Sequence, residues 1–310
     1  MGVIVVVMLW ANGCSVLGFQ EGTETSSVAG RGLVSVPQGS FTPRNEPLDA
    51  ESVAWIDTTL KSLSLRQQIG QLIIQWLPGS YASTSSPEFL EWAKWVQNDE
   101  IGGVYVSIGL PHSYAAKLNE LQARARVPLL VTSDFENGGP GMRINHSYAL
   151  PSLLPQGGGT SFPPTMALGA IGDGDEQLVR EYARITALEA RAVGVHLNFA
   201  PVLDVNSNPE NPIINTRSFG EDPTNVGRLG AAYIQSAHEG GVLVTAKHFP
   251  GHGDTQDDSH IDLPVVPADW DRLNAVELVP FRTAVDVGVD AVMTAHVVVS
   301  GVQGLEGPPA

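Results

Sequence analysis

Between Val244 and His260 the chain reads Val-Thr-Ala-Lys-His-Phe-Pro-Gly-His-Gly-Asp-Thr-Gln-Asp-Asp-Ser-His. Lys247, His248, His252, Asp254, Asp257, Asp258 and His260 therefore fall within one apolar strand end and the loop after it. Titratable groups at this density mark a candidate site. Histidine changes charge near neutral pH, so it can deliver a proton and take one back without help from burial. A neighbouring carboxylate can fix its tautomer and support its protonated form. Asp258 and His260 are two residues apart, so in an extended loop they share a face and can pair, with Asp257 as an alternative partner. Taken singly, Lys247 reads as a snorkelling strand-end lysine and His248 or His252 as ordinary core or loop histidines. Their grouping is what argues for chemistry.

The elements that must position these groups alternate regularly. Apolar runs predict strands over 103–107, 127–134, 195–205, 242–249 and 290–297, with a short one at 72–74. Helical spacing predicts helices over 87–97, 113–125, 175–193, 225–238 and 271–287, and Val53, Ile56, Leu60, Leu65 and Ile69 place another over 52–69. In the clearest helix Leu178, Tyr182, Ile185, Leu188 and Ala192 form an apolar stripe expected to face the core. Repeated strand–helix units with near-continuous apolar strands argue for a parallel sheet covered by helices. Asp134, Asp204, Lys247 with His248, and His296 each end a strand, and in a closed barrel such ends converge on one mouth. An α/β fold of the (β/α)8 TIM type is therefore expected. It shows about six strands before the loop-like end at Gly307-Pro308-Pro309-Ala310, so the barrel is expected to be truncated, with its two sheet edges unpaired and a further domain possible beyond residue 310.

Seventeen basic against 33 acidic residues give a formal charge of −16, which would repel a phosphate backbone, so nucleic acid is not an expected partner. The single cysteine excludes an internal disulfide framework and any multi-cysteine metal site. Cys14 follows an apolar run and the small residues Ala11 and Gly13, the pattern of an exported lipoprotein whose cysteine is lipidated. No Lys or Arg precedes Arg31, so a basic leader is missing from that pattern. The expected organisation is an export signal over 1–14, a Gly/Ser/Thr/Pro-rich tether over 15–50 and the barrel over 51–310. This places the protein in the periplasm or outer envelope, with a membrane tether through the lipid.

Lys247-His248-Phe249-Pro250-Gly251-His252-Gly253 followed by Asp258-Ser259-His260 resembles the signature of glycoside hydrolase family 3, in its branch of bacterial β-N-acetylglucosaminidases. The resemblance extends in order through Ser133 to Gly139, Asn198 to Val205, Arg217-Ser218-Phe219-Gly220 and Met293-Thr294-Ala295-His296, covering roughly residues 52 to 300. It implies removal of terminal non-reducing β-linked N-acetylglucosamine from glycans such as peptidoglycan fragments, with retention and without a cofactor. It further implies that Asp134, Arg143, Arg217, Lys247 and His248 bind the sugar, although Gly139-Pro140-Gly141 alters the spacing before Arg143. His260 would be the acid/base and Asp258 its partner. The nucleophile the family uses is an aspartate on a strand after the Met-Thr-Ala-His block; no aspartate here matches it, so it is expected beyond residue 310.

Three rival readings are weaker. A β-glucosidase of the same family shares the Lys-His pair but generally lacks the Asp-Ser-His continuation. A metal-dependent hydrolase could use His248, His252, Asp254, Asp258 and His260 as ligands, but no His-Glu-x-x-His or Cys-His spacing supports it, and no metal is expected. A non-catalytic sugar-binding lipoprotein follows if the natural chain ends at Ala310. Gly157-Gly158-Gly159 is no phosphate loop, since no Gly-Lys-Ser/Thr follows it.

Overall fold

The computed structural model describes residues 48–107, 109–138, 159–172, 174–256 and 263–302. Cys14, Arg143, Asp258 and His260, the proposed signal and the proposed tether up to residue 47 lie outside the described residues, and the last tether position, Ala50, already begins a helix. Six strands pair in chain order and all in parallel: β1 (Ile74–Leu77), β2 (Gly103–Val106), β3 (Leu130–Ser133), β4 (Leu197–Asn198), β5 (Leu243–Phe249) and, past a short β6 (Val265–Val266), β7 (Ala291–Thr294). They form a half-barrel, with β1 and β7 at its edges. Beside it β6 pairs in parallel with β8 (Val298–Val299).

Side chains alternate across this sheet as the pleat requires. Leu77, Val104, Val106, Val131, Val244 and Ala246 face outward into the main core, against Phe89, Trp92, Tyr114 and Leu118. Those residues come from α3 (Pro87–Gln97) and α4 (Pro111–Gln122), each opened by a proline, which suits the first helical turn. Ile74, Tyr105, Leu197 and Phe199 face inward and meet Leu130, Leu243 and Met293 on the concave side. By the same parity Lys247 points inward at the C-terminal end of β5.

Four elements depart from the sequence reading. The helix expected over 52–69 is two, α1 (Ala50–Ser62) and α2 (Leu65–Gly70), because Ser64 and Gln67 build a capping box that starts a new helix. The strand expected over 195–205 keeps only Leu197–Asn198 in the ladder and touches the sheet again at a Val202–Lys247 bridge; Pro201 between them has no N–H to donate. The helix expected over 271–287 breaks into α8 (Trp270–Ala275) and α9 (Leu278–Asp286). Pro280 cannot bond to the carbonyl of Val276 and its ring clashes there, so Val276 leaves helical geometry at φ −126, ψ −75.

The fourth departure concerns α6 (Asp175–Ala192), which follows the short α5 (Thr165–Gly169). Its buried face is Val179, Tyr182, Ala183, Thr186, Ala187 and Ala190, whereas Leu178 and Leu188 of the expected stripe are 48% and 38% exposed. The helix packs on α7 (Pro223–Glu239), and a Cβ placed on Gly240 just beyond α7 would come within 2.5 Å of the Ala187 Cβ. Small residues form the contact face because the two backbones approach so closely. Gly194, at φ 87, closes α6 in the left-handed conformation that glycine adopts without a Cβ penalty.

Candidate active site

The C-terminal strand ends converge as a barrel mouth requires. Asp134 follows β3, Asp204 follows the short β4, Lys247 and His248 end β5, and Arg217 enters from a 3-10 turn at Asn215–Arg217. Three of these side chains, Asp134, Lys247 and Arg217, form one connected set with Glu136. The Lys247 ammonium lies 2.6 Å from Asp134 Oδ1 and 2.5 Å from Glu136 Oε1. Arg217 donates to Glu136 through Nε at 2.9 Å and Nη2 at 2.7 Å, and through Nη1 to the Ile213 carbonyl at 3.0 Å. Each charge thus has an opposite partner, which is the condition for keeping ions out of water.

The electrostatics follow from that pairing. Burial alone would raise the Glu136 carboxyl, but Arg217 and Lys247 together hold it well below the usual carboxylate range. Burial alone would lower Lys247, yet Asp134 and Glu136 push it above its ordinary value, so the ammonium stays charged. Tyr105 stands beside Asp134; burial first, and then that carboxylate, raise its hydroxyl, which remains a donor. After these contacts Lys247 retains an N–H, Arg217 retains an N–H on each Nη, and the Asp134 carboxylate keeps lone pairs able to accept. Donors beside a carboxylate with lone pairs to spare suit a neutral polyhydroxyl ligand, whose adjacent hydroxyls can both accept and donate.

A second buried carboxylate organises the other half of the mouth. Asp204, fully buried, accepts from His248 Nδ1 at 2.7 Å, from the His248 backbone N–H at 3.2 Å and from the His252 backbone N–H at 2.7 Å. Burial alone would raise Asp204, but the two histidines outweigh it and lower its pKa. For His248 burial prevails over the pull of Asp204, with Arg217 and Lys247 adding to it, so its pKa is lowered. The two directions are consistent: the carboxylate is ionised and the imidazole is neutral. Beyond them Asn211 donates to the His252 carbonyl and to Thr255 Oγ1, and Asn208 donates to the Thr255 carbonyl, fastening the loop that leads towards residue 257. A Cβ on Gly253 would stand 1.7 Å from the Val205 carbonyl oxygen, so only glycine lets that loop lie where it does.

Asp134, Arg217, Lys247 and His248 are thus brought together, while His296 is exposed beyond β7. The sequence pattern does not single out Glu136, and it marks Asp204 only as a strand end. The available signal was local: Glu136 is two residues after Asp134, hence on the same face of an extended segment, and Asp204 is a lone charge within the apolar run Phe199 to Val205.

The family model of the glycosyl hydrolase family 3 N terminal domain matches residues 64–310. The chain is similar to beta-hexosaminidase A of Pseudoalteromonas piscicida, at 41% identity over 179 residues, covering 57% of this chain and 28% of that protein. A protein of Cellulomonas fimi named beta-N-acetylglucosaminidase/beta-glucosidase is 33% identical over 250 residues, covering 81% of this chain and 40% of that one. Among solved structures, a glycoside hydrolase family 3 beta-N-acetylglucosaminidase from Paenibacillus sp. str. FPU-7 superposes with a TM-score of 0.65 at 39% identity, covering 80% of this chain and 44% of that one. The chain spans 28% of the length of the Pseudoalteromonas piscicida protein, 40% of the Cellulomonas fimi protein and 59% of a beta-hexosaminidase of Xylella fastidiosa.

Proposed function

This chain belongs to glycosyl hydrolase family 3, and from that premise we propose that it serves the hydrolysis of terminal non-reducing β-linked N-acetylglucosamine from glycans such as peptidoglycan fragments. The observation that carries the proposal is the buried set Asp134, Lys247, Glu136 and Arg217, which leaves donors and carboxylate lone pairs beside the mouth. The beta-hexosaminidase and beta-N-acetylglucosaminidase names of similar proteins support the choice of sugar.

In this reading Asp134, Lys247, Arg217 and His248 hold the terminal sugar, with Arg143 as a further ligand. His260, oriented by Asp258, protonates the leaving oxygen and later takes a proton from water. Retention needs a carboxylate nucleophile as well. Asp134 and Glu136 are paired with cations and Asp204 with His248, so none of the three is assigned that role. The Cellulomonas fimi protein's name favours a glucoside as second substrate. In protein that carries the expected nucleophile, comparing kcat/KM for aryl β-N-acetylglucosaminide and aryl β-glucoside decides between them; turnover of neither there refutes the hydrolase reading. Sugar binding is tested separately by calorimetry with N-acetylglucosamine, which Asp134→Ala should weaken. We also propose export with lipidation at Cys14; labelling by a fatty-acid precursor that persists in Cys14→Ser would reject it.

A further inference from the structure

The structure assigns Asp204 as a positioning residue that locks His248 in the tautomer carrying its proton on Nδ1, so that Nε2 faces the sugar as a hydrogen-bond acceptor. This rests on the sugar-binding reading of the mouth. A carboxylate can only accept, so the 2.7 Å contact between His248 Nδ1 and Asp204 Oδ2 requires a proton on Nδ1. In the neutral ring that leaves a lone pair on Nε2. Among the described residues none hydrogen-bonds Nε2, and the His248 side chain keeps 17% of its surface open. The ionisable groups around the ring are Asp204 from the segment after β4, Lys247 from β5, Arg217 from the 3-10 turn, and His252, whose ring centre is 6.1 Å away. Burial and the two cations oppose a second proton on His248, which keeps it neutral at neutral pH. Lys247 and Arg217 supply only donors, so among the described residues of this set His248 Nε2 and the Asp134 carboxylate are acceptors open to the sugar's hydroxyl protons.

The tautomer is imposed because Asp204 cannot turn away. Its Oδ1 is held by the His252 backbone N–H at 2.7 Å, and both oxygens lie 3.2 Å from the His248 backbone N–H. An asparagine here must keep its oxygen towards the His252 N–H, since a backbone N–H has no second form. Its amino group then falls on His248 Nδ1 and donates, which the ring can meet only by moving its proton to Nε2. Asp204→Asn therefore turns the sugar-facing atom from acceptor to donor with almost no change of shape. The same logic makes a wrong tautomer costly in other His–Asp pairs.

The experiment is long-range proton–nitrogen NMR on histidine-labelled protein at pH 7.5, wild type and Asp204→Asn, with His248→Gln to assign the signal. Wild type should show a protonated Nδ1 and an unprotonated Nε2 on His248, and Asp204→Asn the reverse. Affinity for N-acetylglucosamine, by calorimetry, should fall about tenfold or more in Asp204→Asn, the loss expected when a buried hydrogen bond becomes a donor–donor contact. A wild-type ring protonated on Nε2 overturns the proposal whether or not the variant folds. A reversed tautomer with undiminished affinity overturns the acceptor role. Failure of wild type to bind the sugar sinks the functional reading instead, because the NMR result needs no sugar.

Discussion

Replacing Glu136 by Gln should be among the most destabilising conservative changes available to this chain. Glu136 is 4% exposed and shares its two oxygens between Lys247 at 2.5 Å and Arg217 at 2.7 and 2.9 Å. Glutamine keeps the shape but removes the charge, and its amino group must face a cation. Lys247 and Arg217, whose side chains are 3% and 11% exposed, would then share Asp134 as the remaining counter-ion in this set. Breaking a buried ion pair by removing one partner costs about 3–5 kcal/mol. At about 2–4 °C per kcal/mol for a chain of this size, the melting temperature should fall by about 6–20 °C. Urea unfolding followed by circular dichroism measures the loss directly, provided the slope against denaturant is unchanged. The decisive arm is the double variant Glu136→Gln with Arg217→Gln. Removing the orphaned cation should recover at least half of the loss, because it is the unpaired charge, and not a lost contact, that is expensive. A single-variant loss below about 1 kcal/mol, or a double variant less stable than Glu136→Gln alone, would refute the shared counter-ion argument.

Other outcomes follow from single contacts. His196 accepts the Val131 backbone N–H through Nδ1 at 3.1 Å, and burial, with a smaller contribution from Arg191, brings its pKa down to about 4. The unfolded chain, with its histidine near 6.5, binds the proton first, so stability should be level above about pH 6.5 and decline between there and about 4, by roughly 1–3 kcal/mol; a His196→Asn protein declining equally would remove His196 as the cause. Gly253→Ala forces a Cβ against the Val205 carbonyl and should cost about 1–3 kcal/mol while weakening sugar affinity, since the displaced loop carries His252 away from Asp204; a fully stable variant with unchanged affinity would contradict this. In protein that carries the expected nucleophile, His260→Ala should depress turnover of glycosides with poor leaving groups far more than of activated aryl glycosides, because only the former need the proton; equal losses would count against its acid role.

The strands and the mouth were readable because buried parallel strands leave near-continuous apolar runs, and a charge at the end of such a run has few places to go but the rim. That logic groups Asp134, Lys247 and His248 at one rim, where the structure holds them. It failed where the controlling interaction is between distant segments. Nothing local in Leu178 or Leu188 says that α7 approaches α6 too closely for a leucine, so the sequence pattern points to the largest apolar residues as the buried face. Nothing local in Glu136 reveals that Arg217, 81 residues away, needs both its oxygens. The consequence bears on how the site works. Family motifs pick out the groups that touch ligand, whereas Glu136 and Asp204 are fully or almost fully buried and act by fixing the charge of Lys247 and Arg217 and the proton of His248. A mouth that must recognise a neutral sugar in competition with water depends on donors and acceptors whose states are settled beforehand. The residues that settle those states lie one layer beneath the residues the sequence advertises.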